Sequence, residues 1–319
     1  MKTIALCIFF AATALHAQKA AHPSVWQPSA GHTQIPIWPG TPPDLQHVDG
    51  PEKVEADNDP KELVAGRPWL YVSDVTRPTM TVYSPIHNNT GAAVVVFPGG
   101  GYEILGIDLE GTEVCDWLTA KGITCILLKY RVPAPHKTQY WGAYPESPIA
   151  LEDAQRTIGL VRLHAAEWHV DPHKVGVLGF SAGGHLVAAT SVHTDRIYSP
   201  IDAADKLSCR PDFAVAIYPG HLYFGDKQLT DPKLNPDIAA HLTKDAPPTF
   251  ILQNEDDNVD GVNQSLVYYI ALKNAGVPAE LHIYAQGGHA FGLRPTKLPA
   301  TRWPALVELW LGTIGMIDR

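Results

Sequence analysis

Cysteine is scarce. Of the four in 319 residues, Cys7 lies in an apolar run near the N-terminus, leaving Cys115, Cys125 and Cys209. An odd number excludes a fully disulfide-stapled scaffold and leaves at least one free thiol. Cys115 and Cys125 can pair, but an apparent helix face and a buried strand suit free thiols equally well. No CxxC and no paired Cys/His spacing is present, so neither a metal nor a cofactor is expected. Basic residues are also few, 24 against 33 acidic, for a net charge of −9. That balance argues against a nucleic acid or an anionic membrane as partner, since both call for a basic face. The apolar run at residues 4–15 is too short to span a bilayer, so no membrane anchor is expected. With 45% hydrophobic and 18% charged residues the chain is globular, not disordered.

What is present begins with an export signal. Lys2 precedes the apolar run, and the small residues of Ala14-Leu15-His16-Ala17 lead into polar Gln18. Residues 1–17 read as a signal peptide, implying a periplasmic or extracellular protein. Residues 18–70, rich in Pro, His and Gly with Trp26, Trp38 and Trp69, read as an arm packed on a core. From residue 71 to 319, strands and helices alternate in what reads as one catalytic domain. Residues 79–83 suggest an edge strand. Buried strands are expected at 92–97, 123–130, 174–179, 213–218 and 249–253, with a last strand at 280–284. Helices are expected at 113–121, 149–168, 182–191, 262–275 and 303–314, with Gly122 and Gly276 as left-handed caps. Apolar strands without alternation, separated by helices, imply an α/β fold with a mostly parallel central sheet covered on both faces. Residues 197–247 carry few regular signals and suggest a lid or substrate-facing insertion.

Four local features carry chemistry. VGVLGFSAGGH (175–185) holds Gly179-Phe180-Ser181-Ala182-Gly183, a G-x-S-x-G placed between a strand and a helix, which marks Ser181 as a nucleophile on a sharp turn. Gly99-Gly100-Gly101 follows another strand directly. Glycines there let backbone N–H groups face a developing oxyanion, so Gly100, Gly101 and Ala182 are the expected oxyanion hole. After the strand at 249–253 comes NEDDNV, in which Asp256 and Asp257 compete to orient the base. Asp256 is favoured because its spacing to Val259 resembles the D-x-x-V loop of related hydrolases, a resemblance that implies the first Asp orients the histidine. QGGHAFG places His289 after the last strand, and the order Ser181, Asp256, His289 is that of α/β-hydrolases. His185, one turn past Ser181, reads as a packed helix residue. Asp153 and Arg156 read as scaffold, pairing with each other or with Arg131. As a general base His289 must be neutral, so kcat/KM should fall as pH drops through a pKa of about 6–7.

The succession PGGGY, LLKYR, YPESPIALEDAQR, GFSAGGHL, RPDFAVAIYP, DDNV and GVPAELHIYAQGGHAFGL resembles the bacterial acetyl xylan esterase and feruloyl esterase-like branch of the α/β-hydrolases. The resemblance runs from about Trp38 to the final helix. It departs at Pro98, where many relatives have His, and at Ala290, where the common form has Gly. It implies deacetylation of acetylated plant polysaccharide or oligosaccharide through an acyl-enzyme on Ser181. Tyr102, Trp141 and Tyr218 are candidates for lining the acyl pocket or stacking on a sugar ring. The alternatives are a general short-chain carboxylesterase, a feruloyl esterase, a prolyl-type peptidase or a non-catalytic binding protein.

Overall fold

A computed structural model describes residues 25–45, 51–132, 148–224 and 233–318. The proposed leader and Trp141 lie outside the described residues. Thirteen strands are present among them: β1 (Gln34–Pro36), β2 (Lys53–Asp57), β3 (Trp69–Ser73), β4 (Thr79–Tyr83), β5 (Ala93–Phe97), β6 (Ile104–Leu105) and β7 (Thr124–Lys129) come first. They are followed by β8 (Val175–Phe180), β9 (Ala214–Ile217), β10 (Tyr223–Phe224), β11 (Lys233–Leu234), β12 (Thr249–Asn254) and β13 (Ala279–Tyr284). The helices are α1 (Glu113–Ala120), α2 (Ile149–Leu163), α3 (Ala182–Val192), α4 (Pro236–His241), α5 (Asn263–Ala275) and α6 (Trp303–Thr313).

Eight strands form the central sheet in the order β1-β4-β7-β5-β8-β9-β12-β13. From β7 to β13 every pairing is parallel, while β4 is antiparallel to both neighbours. This is the expected mostly parallel sheet. In β5, β7, β8, β9 and β12 every residue is buried. Side chains alternate between faces, so both faces of the sheet are covered.

The structure departs from the sequence reading at three places. Thr79–Tyr83 is not the sheet edge, because β1 from the N-terminal segment pairs with it. Only three residues do this, too few to show a strand period. The second helix stops at Leu163, not at 168, and turns follow. Segment 197–247 is more regular than expected, holding β9, the small β10–β11 hairpin and α4.

The N-terminal segment is anchored by an ion pair between Glu52 and Lys129 of β7 as well as by packing. Trp38 is buried, and its Nε1 donates to Asp153 Oδ1 at 2.7 Å. Arg131 pairs with Glu152 and Asp153, whereas Arg156 pairs with Asp202 and Asp205. A disulfide joins Cys115 of α1 to Cys125 of β7, and Cys209 is buried and free.

This topology locates a site. After β5 the chain moves to β7 on one side, then crosses to β8 on the other, so the strand order reverses between β5 and β8. Crevices form at the carboxyl ends of strands flanking such a reversal. Gly99–Gly101 leave β5 there, and Ser181 leaves β8.

Candidate active site

Ser181 occupies a conformation that L-residues rarely adopt, φ 52° and ψ −119°, at the N-cap of α3. Such backbone strain persists only where the surroundings over-determine it. Here Ser181 N–H donates to Ile217 O at 3.1 Å, and its carbonyl accepts from Gly220 N–H at 3.0 Å and His185 N–H at 3.1 Å. The flanking glycines are steric requirements. A Cβ on Gly179 would run into the Gly183 carbonyl, and one on Gly183 into the Phe97 carbonyl. The turn therefore closes only with glycine on both sides, and it lifts the hydroxyl off the sheet.

His289 meets this hydroxyl: its Nε2 lies 2.9 Å from Ser181 Oγ. Its Nδ1 lies 2.7 Å from Asp257 Oδ2. An imidazole with its proton on Nδ1 donates to the carboxylate and accepts from the serine. The carboxylate in contact is Asp257, a correction to the preference for Asp256. Asp257 is fully buried at its side chain. Its Oδ2 also accepts from Gln253 Nε2 at 2.9 Å, and its Oδ1 accepts from the N–H groups of Val259 and Asp260 at 3.0 and 2.9 Å. Asp256 is exposed and turned to the other side of the loop. Its Oδ1 accepts from Gly287 N–H at 2.9 Å and Gly288 N–H at 2.8 Å, holding the turn that carries His289.

Burial opposes the charged form of His289, but the Asp257 hydrogen bond and charge, helped by Asp260 and Glu110, outweigh it and raise the pKa above the usual 6.5. Asp260 was not singled out by the sequence. Its Oδ2 lies 3.3 Å from Ser181 Oγ and 3.7 Å from His289 Nε2. Burial pushes its own carboxyl upward, against the pull of His289 and His221.

The glycine run has unequal members. Gly99 N–H donates to Glu110 Oε2 at 2.7 Å. Among the described residues, no hydrogen bond takes up the N–H of Gly100, Gly101 or Ala182. Gly100 has φ +134° with no room for a Cβ beside the Ile104 carbonyl, whereas Gly101 has φ +64° and open space. Glu110 has no role assigned to it in the sequence reading. It sits in a π-helical turn, Asp108–Thr112, which sequence periodicity does not reveal. Buried and with its pKa raised by that burial, it accepts from Gly99 N–H and from Tyr218 Oη at 2.8 Å.

A cavity of about 400 Å³ opens over Ser181 and His289, with Trp69, Leu109, Val259, Asp260 and Ala290 among its walls. Tyr102 and Tyr218 do not line it. Tyr102 is buried with its hydroxyl 2.8 Å from His185 Nδ1, and Tyr218 is buried with its ring edge-on to His289 at 4.9 Å. Both are packing side chains behind the site, and the aromatic wall is Trp69. His185 is buried and its pKa is lowered by that burial to about 3, so it is a neutral packed residue.

Comparison with known proteins places these features in a family. A family model described as BD-FAE matches residues 80–218, and one for the prolyl oligopeptidase family matches residues 151–302. The crystal structure of an acetyl ester-xyloside bifunctional hydrolase from Caldicellulosiruptor lactoaceticus is 30% identical, covering 90% of this chain and 97% of that one, with a TM-score of 0.67. The chain belongs to the α/β-hydrolases. This α/β-hydrolase is also 33% identical over 243 residues to an acetylxylan esterase of Xylanibacter ruminicola, covering 70% of this chain and 45% of the relative. It is 26% identical over 222 residues to endo-1,4-beta-xylanase B of Butyrivibrio fibrisolvens, covering 65% of this chain and 34% of that relative. The chain thus spans less than half the length of these two sequence relatives.

Proposed function

We propose that this α/β-hydrolase is a serine esterase that removes acetyl groups from acetylated xylan-type polysaccharide or oligosaccharide. The observation that carries the reading is the continuous relay from Asp257 through His289 to Ser181 at 2.7 and 2.9 Å, beside a glycine turn with untaken N–H groups. In the first step Ser181 Oγ attacks the acetyl carbonyl carbon while His289 Nε2 takes the hydroxyl proton. Asp257 holds the Nδ1–H tautomer and stabilises the imidazolium. The oxyanion is received by the N–H groups of Gly100, Gly101 and Ala182, the last at the positive end of α3. Collapse breaks the bond to the sugar oxygen, which leaves with the proton from His289. Water, deprotonated by His289, then attacks the acetyl-enzyme; the acyl–Oγ bond breaks, Ser181 Oγ takes the proton back from His289, and acetate is released.

The walls favour a small, neutral acyl ester. Trp69, Leu109, Val259 and Ala290 supply apolar surface, and Asp260 presents an oxygen acceptor suited to hydroxyl groups and unfavourable to carboxylates. The names of the relatives point to acetyl esters of xylan and xylosides. Acetylated xylo-oligosaccharide, methyl ferulate, proline-containing peptides and p-nitrophenyl esters of increasing chain length test the reading together. Acetyl esters should be turned over fastest and Ser181→Ala should abolish turnover. Preference for butyryl or longer esters, for ferulate or for peptides would overturn it.

Export belongs to the same proposal. The leader-like residues 1–17 support it, as does the Cys115–Cys125 disulfide, since disulfides persist in oxidising compartments. Among the described residues no helix is long and apolar enough to cross a membrane. The division into arm (18–70) and catalytic domain (71–319) is likewise proposed. N-terminal sequencing of the protein recovered from the periplasm or medium should begin near Gln18; recovery from the cytoplasm with residues 1–17 intact would contradict export.

A further inference from the structure

At the far end of α3 from Ser181, three side chains converge that the proposed reaction does not use. His193 is the C-cap residue of α3. Asp237 and His241 lie four residues apart on α4, one turn above each other on the same face. The short helix is started firmly: Pro236 is its first residue, and the Asn235 side chain accepts from the N–H groups of Asp237 and Ile238. His193 Nε2 lies 2.8 Å from Asp237 Oδ2, and His241 Nδ1 lies 3.2 Å from Asp237 Oδ1. One ligand atom from each of the three falls within 4.8 Å of the others, and the two imidazole rings are 4.0 Å apart.

We propose that His193, Asp237 and His241 form a binding site for a divalent transition metal, of which zinc is the best match. Zinc binds imidazole nitrogen and carboxylate oxygen at about 2.0–2.2 Å, which puts tetrahedral ligand atoms roughly 3.3 Å apart. The separation from His241 Nδ1 to Asp237 Oδ1, 3.2 Å, matches that spacing, whereas that from His193 Nε2 to Asp237 Oδ2, 2.8 Å, is about 0.5 Å short of it, so His193 and the carboxylate must move slightly apart to seat the ion. A ligand set of two imidazoles and one carboxylate selects zinc, cobalt or nickel over calcium or magnesium. The competing arrangement is a hydrogen-bonded bridge in which each nitrogen keeps a proton facing Asp237, and His241 Nδ1 also lies 2.9 Å from the Asp237 carbonyl oxygen. A cation replaces both facing protons with one charge held by all three groups. His193 and Asp237 are 5% and 10% exposed at their side chains, while His241 is 46% exposed, so the fourth ligand position faces water. The site lies roughly 18 Å along α3 from Ser181, at about 1.5 Å per residue. At that distance the metal clamps α4, and with it the segment between β9 and β12, onto the nucleophile helix without touching the substrate.

The test uses the full chain stripped of metal by chelator. One equivalent of zinc chloride should raise the melting temperature by about 3–6 °C at saturation. One equivalent of cobalt(II) should produce visible absorption bands. Both signals should vanish in His241→Ala, whose exposed side chain can be removed without disturbing the core, and in Asp237→Asn. They should persist in His173→Ala, an exposed histidine elsewhere on the surface. The proposal is overturned if wild type shows neither signal, or if His241→Ala shows both at wild-type strength.

Discussion

Asp256 and Asp257 are adjacent in sequence, and exchanging each for asparagine separates their roles. The Asp257 carboxylate accepts four hydrogen bonds, two on each oxygen. Asparagine keeps one acceptor oxygen and replaces the other with an NH₂ donor. If that NH₂ takes the Oδ2 position, it faces the Nδ1–H of His289 and the amide of Gln253, both donors. If it takes the Oδ1 position, it faces the N–H groups of Val259 and Asp260. Either rotamer sets donor against donor, and relief by switching the His289 tautomer leaves Nε2 protonated and unable to accept from Ser181. Loss of the acid in a serine-hydrolase relay costs on the order of 10⁴-fold in kcat, about 5.4 kcal/mol of barrier. Asp256 accepts two N–H groups through a single oxygen at an exposed position. An asparagine oxygen can replace it there, so Asp256→Asn should stay within about 3-fold of wild type. Hydrolysis of p-nitrophenyl acetate by both variants, with circular dichroism to verify folding, measures the difference. An inactive Asp256→Asn beside a near-normal Asp257→Asn would refute the assignment of the acid.

Gly100→Ala should reduce kcat strongly, by about 10²–10³-fold, because the new Cβ meets the Ile104 carbonyl and displaces an oxyanion donor. Gly101→Ala, at φ +64° with open space, should cost less than 10-fold in the same assay, apart from a modest loss of stability. His289 acts as base only when neutral, so kcat/KM should be full above its raised pKa and fall as pH drops through it, with the acid limb above 6.5. Asp260 raises that pKa, so Asp260→Asn should move the limb to lower pH; a shift upward or none would exclude its electrostatic role. Trp69→Ala should raise KM for acetylated oligosaccharide about 10-fold or more with a smaller change for p-nitrophenyl acetate, measured by initial rates.

Much of this architecture is legible because its signals are local. Five buried strands announce themselves as apolar runs, and the G-x-S-x-G and triple-glycine turns follow two of them because only glycine fits those backbones. The misses have a common cause in tertiary context. Asp256 and Asp257 share one loop and one chemistry, and Gln253 with the amides of Val259 and Asp260 decides which carboxylate turns inward. Glu110 serves Gly99 and Tyr218 from a π-helical turn that leaves no period in the sequence. Trp69 looks like part of a wrapping arm, yet β3 carries it to the cavity wall. Tyr102 and Tyr218 looked suited to a substrate, but their hydroxyls face His185 and Glu110. Histidine count gave no help with His193 and His241, whose partner Asp237 becomes visible only once α4 packs on α3.

In the proposed reaction Ser181 forms a covalent acyl-enzyme with the aid of His289. Intact-mass spectrometry after treatment with an organophosphate ester, followed by peptide mapping, tests it most directly. One adduct per chain is expected on Ser181, absent in Ser181→Ala and much slower to form in His289→Ala. An unmodified wild-type chain, or an adduct that persists in Ser181→Ala, would contradict it.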